Sequence, residues 1–223
     1  PQMNIIRYIF WKFALKKIFR VTFPTQESLD YFKSLKIISD EKIELLHDPV
    51  ITISNIVKEK NVSLNEDNLN KNGYFLAIGR LTKQKNFLFL IKCFNKLTQK
   101  DPNIKLVIIG IGEQKQKISN LIKKYNLNRN IIMRGYQKNV FKFLKNSKGF
   151  ILSSLWEDPG FVLIEAMASD CLVLSSDCPN GPKEILSEKN GILFKNNSES
   201  DFIKKFGVLN NLSEKEKKKI RYN

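Results

Sequence analysis

The chain has 223 residues, is 42% hydrophobic, and sets 38 Lys+Arg against 22 Asp+Glu for a formal charge of +16, enough for one sizeable core and part of a second. Its three scattered cysteines (Cys93, Cys171, Cys178) and single histidine, His47, argue against a disulfide framework, a zinc site and a Cys/His nucleophile, and suit a reducing, cytoplasmic setting. No apolar run reaches the roughly 18 residues of a spanning helix, and no signal peptide is evident.

The lysines are spread rather than clustered. Their charge fits a nucleic acid, an anionic membrane, an anionic small substrate, or solvated faces alone. Zinc-finger spacing and an aromatic-plus-glycine RNA signature are both missing, so no nucleic-acid partner is expected. The chain starts at Pro1 and stops inside a charged run at Arg221-Tyr222-Asn223, which predicts a piece of a longer protein.

Taken in order, residues 5–20 (IIRYIFWKFALKKIFR) are apolar and basic at roughly helical spacing. Arg7, Lys12, Lys16, Lys17 and Arg20 alternate there with Ile, Phe, Trp and Tyr. That pattern suits an ordinary helix packed on the missing domain, and also peripheral contact with an anionic membrane. VTFPT reads as a short strand, QESLDYFKSL as a helix and KIELLHDPVI as another strand. The Asn-rich stretch 63–73 reads as a loop. The expected organisation is a first unit over 1–50, a linker over 51–73 and a second unit over 74–223.

The second unit alternates regularly. Strands are expected at YFLAIG, IKLVIIG, NIIMRG, GFILSS, CLVLSS and GILF, with helices between them and a helical tail. Continuously apolar strands separated by helices imply an α/β fold, a Rossmann-like doubly wound parallel sheet that binds ligands at the carboxyl ends of its strands.

Reading those ends in turn, GRLTKQKN follows the first strand and brings Arg80 and Lys85 onto one loop. Two cations there suit an anionic ligand, and also an ordinary solvated loop. Gly110 and Gly112 in GIGEQ follow the second strand, as a phosphate loop or only a tight turn. The fourth strand leads into WEDPGFVLIEAM. Asp158 is a natural helix N-cap, and Pro159 suits the first helical position. Gly160, Phe161 and Val162 would then present free N–H groups at the positive end of a helix, a ready anion site. Glu157 lies outside this mouth, and Glu165 stands roughly 9 Å along the axis from Pro159, its side chain leaning back toward the N-terminus. Glu165 fits the two hydroxyls of a ribose, or a solvated helix face; its apolar neighbours favour the ribose, because a charge among them needs a partner.

Together GRLTKQKN, VIIGIGEQ, RGYQKNVFKFLKNSKGFILSS, WEDPGFVLIEAM and SSDCPNGPKEIL resemble the C-terminal, nucleotide-sugar-binding domain of a family 4 glycosyltransferase of the GT-B fold, over residues 74 to about 211. The resemblance implies that Arg80 and Lys85 hold the diphosphate and stabilise the departing nucleotide. It implies that N–H groups of Gly160, Phe161, Val162 and Leu163 meet the phosphates, that Glu165 binds the ribose, and that Glu157 contacts the donor sugar near the reacting centre. Gly135, Tyr136 and Gln137 fall where the family cups the base. It implies further a retaining hexosyl transfer from a nucleotide sugar, expected to be a UDP-sugar, to a glycan or lipid-linked saccharide in surface polysaccharide or lipopolysaccharide assembly. No metal or other cofactor is expected, since the chain has no Asp-x-Asp pair to hold one.

Two departures from the family pattern stand out. Asp170-Cys171 replace a common glycine, and most of the N-terminal acceptor domain is missing, with residues 1–50 its remnant. The fragment alone is therefore expected to bind nucleotide without transferring sugar, and His47 is read as structural. The rival readings are a nucleotide-sugar epimerase of the same fold and a basic module for nucleic acid or membrane.

Overall fold

A computed structural model describes residues 4–48, 52–64, 69, 73–186 and 189–221. The chain divides into two compact units, Pro1–Val50 and Ile51–Asn223.

In the first unit, α1 (Ile5–Ala14) is capped by Asn4, whose side chain accepts from the Ile6 N–H at 3.0 Å. No residue of α1 is buried, and Ile6, Phe10 and Phe13 are all more than 60% exposed. Strands β1 (Val21–Phe23) and β2 (Ile43–Leu45) pair in parallel, with α2 (Gln26–Ser34) as the crossover. Thr25 caps α2 through the Ser28 N–H, and Leu29 and Ile43 are buried. His47 donates Nδ1–H to the Pro24 carbonyl at 2.9 Å, since a carbonyl can only accept. The histidine thus braces the ends of the two strands.

The second unit is built on a six-stranded parallel sheet in the order β5-β4-β3-β6-β7-β8. Its strands are β3 (Phe75–Ile78), β4 (Leu106–Ile109), β5 (Ile131–Gly135), β6 (Gly149–Leu152), β7 (Val173–Asp177) and β8 (Ile192–Lys195). Alternate residues feed two cores, one on each face of the sheet. Phe75, Ala77, Leu106, Ile108 and Ile151 join the aromatic side, where Phe89, Phe194, Phe202 and Phe206 interlock. That face is covered by α4 (Phe87–Lys100), α5 (Lys115–Lys124) and α9 (Glu199–Asn210). Leu76, Val107, Ile109, Phe150 and Leu152 point the other way, toward α6 (Phe141–Lys145) and α7 (Phe161–Ala168). The short α8 (Pro182–Ile185) follows β7, and α10 (Glu214–Arg221) closes the tail.

The segment expected to be a linker holds a helix, α3 (Ile53–Lys60), with Ile56 buried. Of the loop expected over 63–73, residues 65–68 and 70–72 lie outside the described residues, while Leu64 and Leu69 are buried in the second core. Lys60 at the end of α3 donates to Asp170 at 2.7 Å and to the Ala168 carbonyl at 3.3 Å, tying α3 to the C-terminus of α7. Asp170 sits at φ +59°, the conformation a glycine would take without strain. An ammonium at a helix C-terminus also favours the negative end of its dipole.

Lys60→Ala is therefore expected to cost about 1 kcal/mol in urea unfolding. Asp170→Gly should cost less, because relief of the left-handed backbone offsets the lost ion pair. A larger loss for Asp170→Gly than for Lys60→Ala would contradict this account.

Candidate functional site

Strand order reverses between β3 and β6. The helices that follow these neighbouring strands lie on opposite faces of the sheet, and sheets of this kind bind ligands in the crevice at the carboxyl ends of such a pair. Arg80 and Lys85 lie on the loop after β3, Gly135 to Gln137 at the end of β5, Glu157 on the loop after β6, and Gly160 to Glu165 at the start of α7.

Close backbone packing fixes the floor. The Leu81 N–H donates to Ile111 O at 2.8 Å, and the Gln114 N–H to Leu81 O at 2.9 Å. Gly110, at φ +146°, lies so close to the β3 loop that a Cβ would stand 1.9 Å from Gly79 O. The glycines of GIGEQ thus serve close loop packing. Across the crevice, Gln84 donates to the Trp156 carbonyl at 3.0 Å, joining the β3 loop to the β6 loop.

Lys85 and Glu157 meet directly, which sequence reasoning did not anticipate. Lys85 Nζ lies 2.6 and 2.8 Å from the two carboxylate oxygens, with the side chains 13% and 4% exposed. Burial of both charges is tolerable because each compensates the other. Two further residues escaped the sequence reading. Ser154 Oγ donates to Glu157 Oε1, and Ser153 Oγ donates to the Lys85 carbonyl at 2.9 Å. The available signal was a Ser-Ser pair closing an apolar strand just ahead of a glutamate. Arg80, by contrast, is exposed, and among the described residues its guanidinium makes one long contact, Nη2 to Gln84 Oε1 at 3.5 Å.

The helix mouth differs from expectation. Asp158 is not the N-cap and Pro159 is not helical: a cis Asp158–Pro159 bond precedes the turn, Gly160 caps at φ +93°, and α7 starts at Phe161. The positive φ of Gly160 sets this turn, a conformation that costs glycine little. Gly181 packs beneath it, so near that a Cβ would stand 1.7 Å from Pro159 O. The Leu163 N–H already donates to Gly160 O at 2.9 Å and is not free for a ligand. The N–H groups of Phe161 and Val162 have no partner among the described residues.

About one turn in, the Glu165 carboxylate has no hydrogen bond or ion pair among the described residues, and burial pushes it above the ordinary glutamate value. At the other wall Tyr136 is 71% exposed, and Gln137 turns its amide back to the Arg134 carbonyl at 3.1 Å. Burial also pushes the Cys178 thiol up to about 11, so it is not a thiolate nucleophile at neutral pH.

The arrangement offers cations, open N–H groups and an unpartnered carboxylate around one crevice. The family model for glycosyl transferases, group 1, matches residues 58–223. The chain belongs to that family. An uncharacterized glycosyltransferase of Methanocaldococcus jannaschii is 39% identical over 206 residues, 89% of this chain and 49% of its own. The N-acetylgalactosamine-N,N'-diacetylbacillosaminyl-diphospho-undecaprenol 4-alpha-N-acetylgalactosaminyltransferase of Campylobacter jejuni is 32% identical over 151 residues, 68% of this chain and 39% of its own. The chain thus spans half or less of these curated relatives. In fold it resembles a mutant of S. aureus TarM crystallised with fondaparinux, alpha-GlcNAc-glycerol and UDP, with a TM-score of 0.79 at 23% identity over 97% of this chain and 41% of that one.

Proposed function

We propose that this group 1 chain is the donor-binding part of a retaining glycosyltransferase that moves a hexosyl group from a UDP-sugar to a glycan or lipid-linked saccharide in cell-surface polysaccharide assembly. The observation that carries this reading is the unpartnered Glu165 behind the open Phe161 and Val162 N–H groups, beside Arg80 and Lys85. A nucleoside diphosphate satisfies all of them: its ribose on Glu165, its phosphates on the N–H groups and cations, its base beside Gly135, Tyr136 and Gln137. Preorganised positive charge of this kind stabilises the departing diphosphate, the main electrostatic demand of the reaction. Glu157, held against the Gly160 turn and on Lys85, is the carboxylate we assign to the donor sugar. The alpha linkage in the Campylobacter name and the alpha-GlcNAc-glycerol in the staphylococcal structure support retention, because common UDP-hexoses are alpha anomers.

Product analysis with a labelled UDP-sugar and the full-length protein tests the reading. Transfer to a saccharide acceptor is expected; a new epimer without transfer would favour the epimerase, and neither product would defeat both. The cations stand in for a metal, so turnover is expected to survive a chelator. Loss of turnover with EDTA, restored by Mg²⁺, would refute that.

We also infer that α1 makes peripheral contact with an anionic membrane, which would hold the enzyme at the cytoplasmic leaflet. Its support is a helix with no buried residue, in which Ile5, Ile6, Ile9, Phe10 and Phe13 are exposed beside Arg7 and Lys12. No helix among the described residues is long and apolar enough to cross a membrane. Replacement of Arg7, Lys12, Lys17 and Arg20 by serine should weaken binding to vesicles containing phosphatidylserine at least severalfold. Equal binding by both proteins would remove this reading.

A further inference from the structure

We propose that Glu157 is a built-in counter-ion for Lys85, which the lysine exchanges for the phosphates of the incoming nucleotide while Ser154 keeps the carboxylate in place. This rests on the nucleotide-binding reading above. Lys85 Nζ is held by both oxygens of Glu157 at 2.6 and 2.8 Å in a spot largely shut off from water. An ammonium left alone there is strongly penalised, so a ligand that takes Lys85 must supply the negative charge that Glu157 supplies now.

The surroundings suit exchange. When Lys85 leaves, Glu157 retains the Ser154 hydroxyl on Oε1, and its own N–H remains on Pro179 O at 3.0 Å. Ser154 is fully buried, and its carbonyl accepts from Ser176 Oγ at 2.7 Å, which makes the hydroxyl a fixed point. The main chain of Lys85 is pinned by Ser153 at 2.9 Å. Its stem, however, runs beside Gly79, where a Cβ would stand 3.2 Å from Cγ and Cδ. Glycine leaves that lane clear. The backbone and the carboxylate each keep partners that do not depend on the ammonium, which is the part left to change hands.

Glu157 therefore competes with the ligand for Lys85. Removing its charge should tighten the grip on a bare diphosphate, the reverse of what loss of a ligand contact would do. The test is calorimetric titration of the 223-residue chain, wild type and Glu157→Gln, with UDP and with inorganic pyrophosphate. Both probes are expected to bind the variant about fivefold tighter or more, as removal of a competing close charge implies. Equal or weaker binding by a folded variant, with UDP binding by wild type intact, overturns the counter-ion role. Failure of wild type to bind UDP would instead overturn the nucleotide-binding reading beneath it. Should the variant not fold, a crystal structure of the wild-type chain with UDP decides. Lys85 on a phosphate oxygen, with Ser154 still on Glu157, supports exchange; Lys85 still on both carboxylate oxygens overturns it.

Discussion

Replacing Glu165 by alanine is expected to weaken UDP binding by about 2 kcal/mol, roughly thirtyfold, the loss for charge-assisted hydrogen bonds to two hydroxyls. The carboxylate has no partner among the described residues, so nothing else in the second unit takes its place. Its burial also makes a prediction about stability. A carboxyl whose pKa is raised in the folded state contributes stability that is present below the unfolded value and lost as the pH rises through the folded one. At neutral pH the ionised Glu165 is thus a cost to the unliganded fold. Glu165→Gln should raise the Tm at pH 7 while losing UDP affinity, and the gain should vanish in acid. UDP affinity of the wild type should fall as Glu165 protonates, at a higher pH than for an ordinary glutamate, and this component should be missing from the Gln variant. A Gln variant that bound UDP normally would remove the ribose role.

Gly110→Ala is expected to be severely damaging for a single added methyl group, at about 3 kcal/mol or more. The new Cβ would meet the Gly79 carbonyl at 1.9 Å, a backbone atom that cannot rotate away, and the residue would be held at φ +146°. Relief requires the β3 and β4 loops to separate, which also displaces the loop carrying Arg80 and Lys85. UDP binding and stability should fall together. Gly207, within α9, provides the contrast, since a Cβ there meets nothing within 4 Å. Gly207→Ala should stabilise by about 0.5–1 kcal/mol, as alanine does inside a helix. Chemical denaturation of both variants checks this; similar effects from the two would show that the loop contact is not what Gly110 serves.

Much of the second unit is legible in the sequence because both faces of its sheet are covered. Runs such as LVII and GFIL are apolar at every position, and only a strand buried on both sides reads so. The same reading brings Arg80, Lys85, Glu157 and Glu165 to one end of the sheet, since all four follow carboxyl ends of strands. What it cannot reach is how side chains from separate loops divide among themselves. Lys85 and Glu157 are 72 residues apart, so their pairing depends on the reversal of strand order and not on either motif. The start of α7 was misplaced for a local reason. Asp-Pro is a good helix opening by propensity, but Gly160 and the close approach of Gly181 to Pro159 set a different turn. Likewise α3 hid in a polar segment, because its hold on α7 runs through Lys60 and Asp170, far apart in sequence.

Hydrogen–deuterium exchange of the wild-type chain with and without UDP tests the central claim most directly. The account predicts protection confined to residues 79–86, 135–137 and 157–165, with the Phe161 and Val162 amides slowed most, since they have no partner until phosphate arrives. Protection elsewhere with these segments unchanged, or none at saturating UDP, would contradict it.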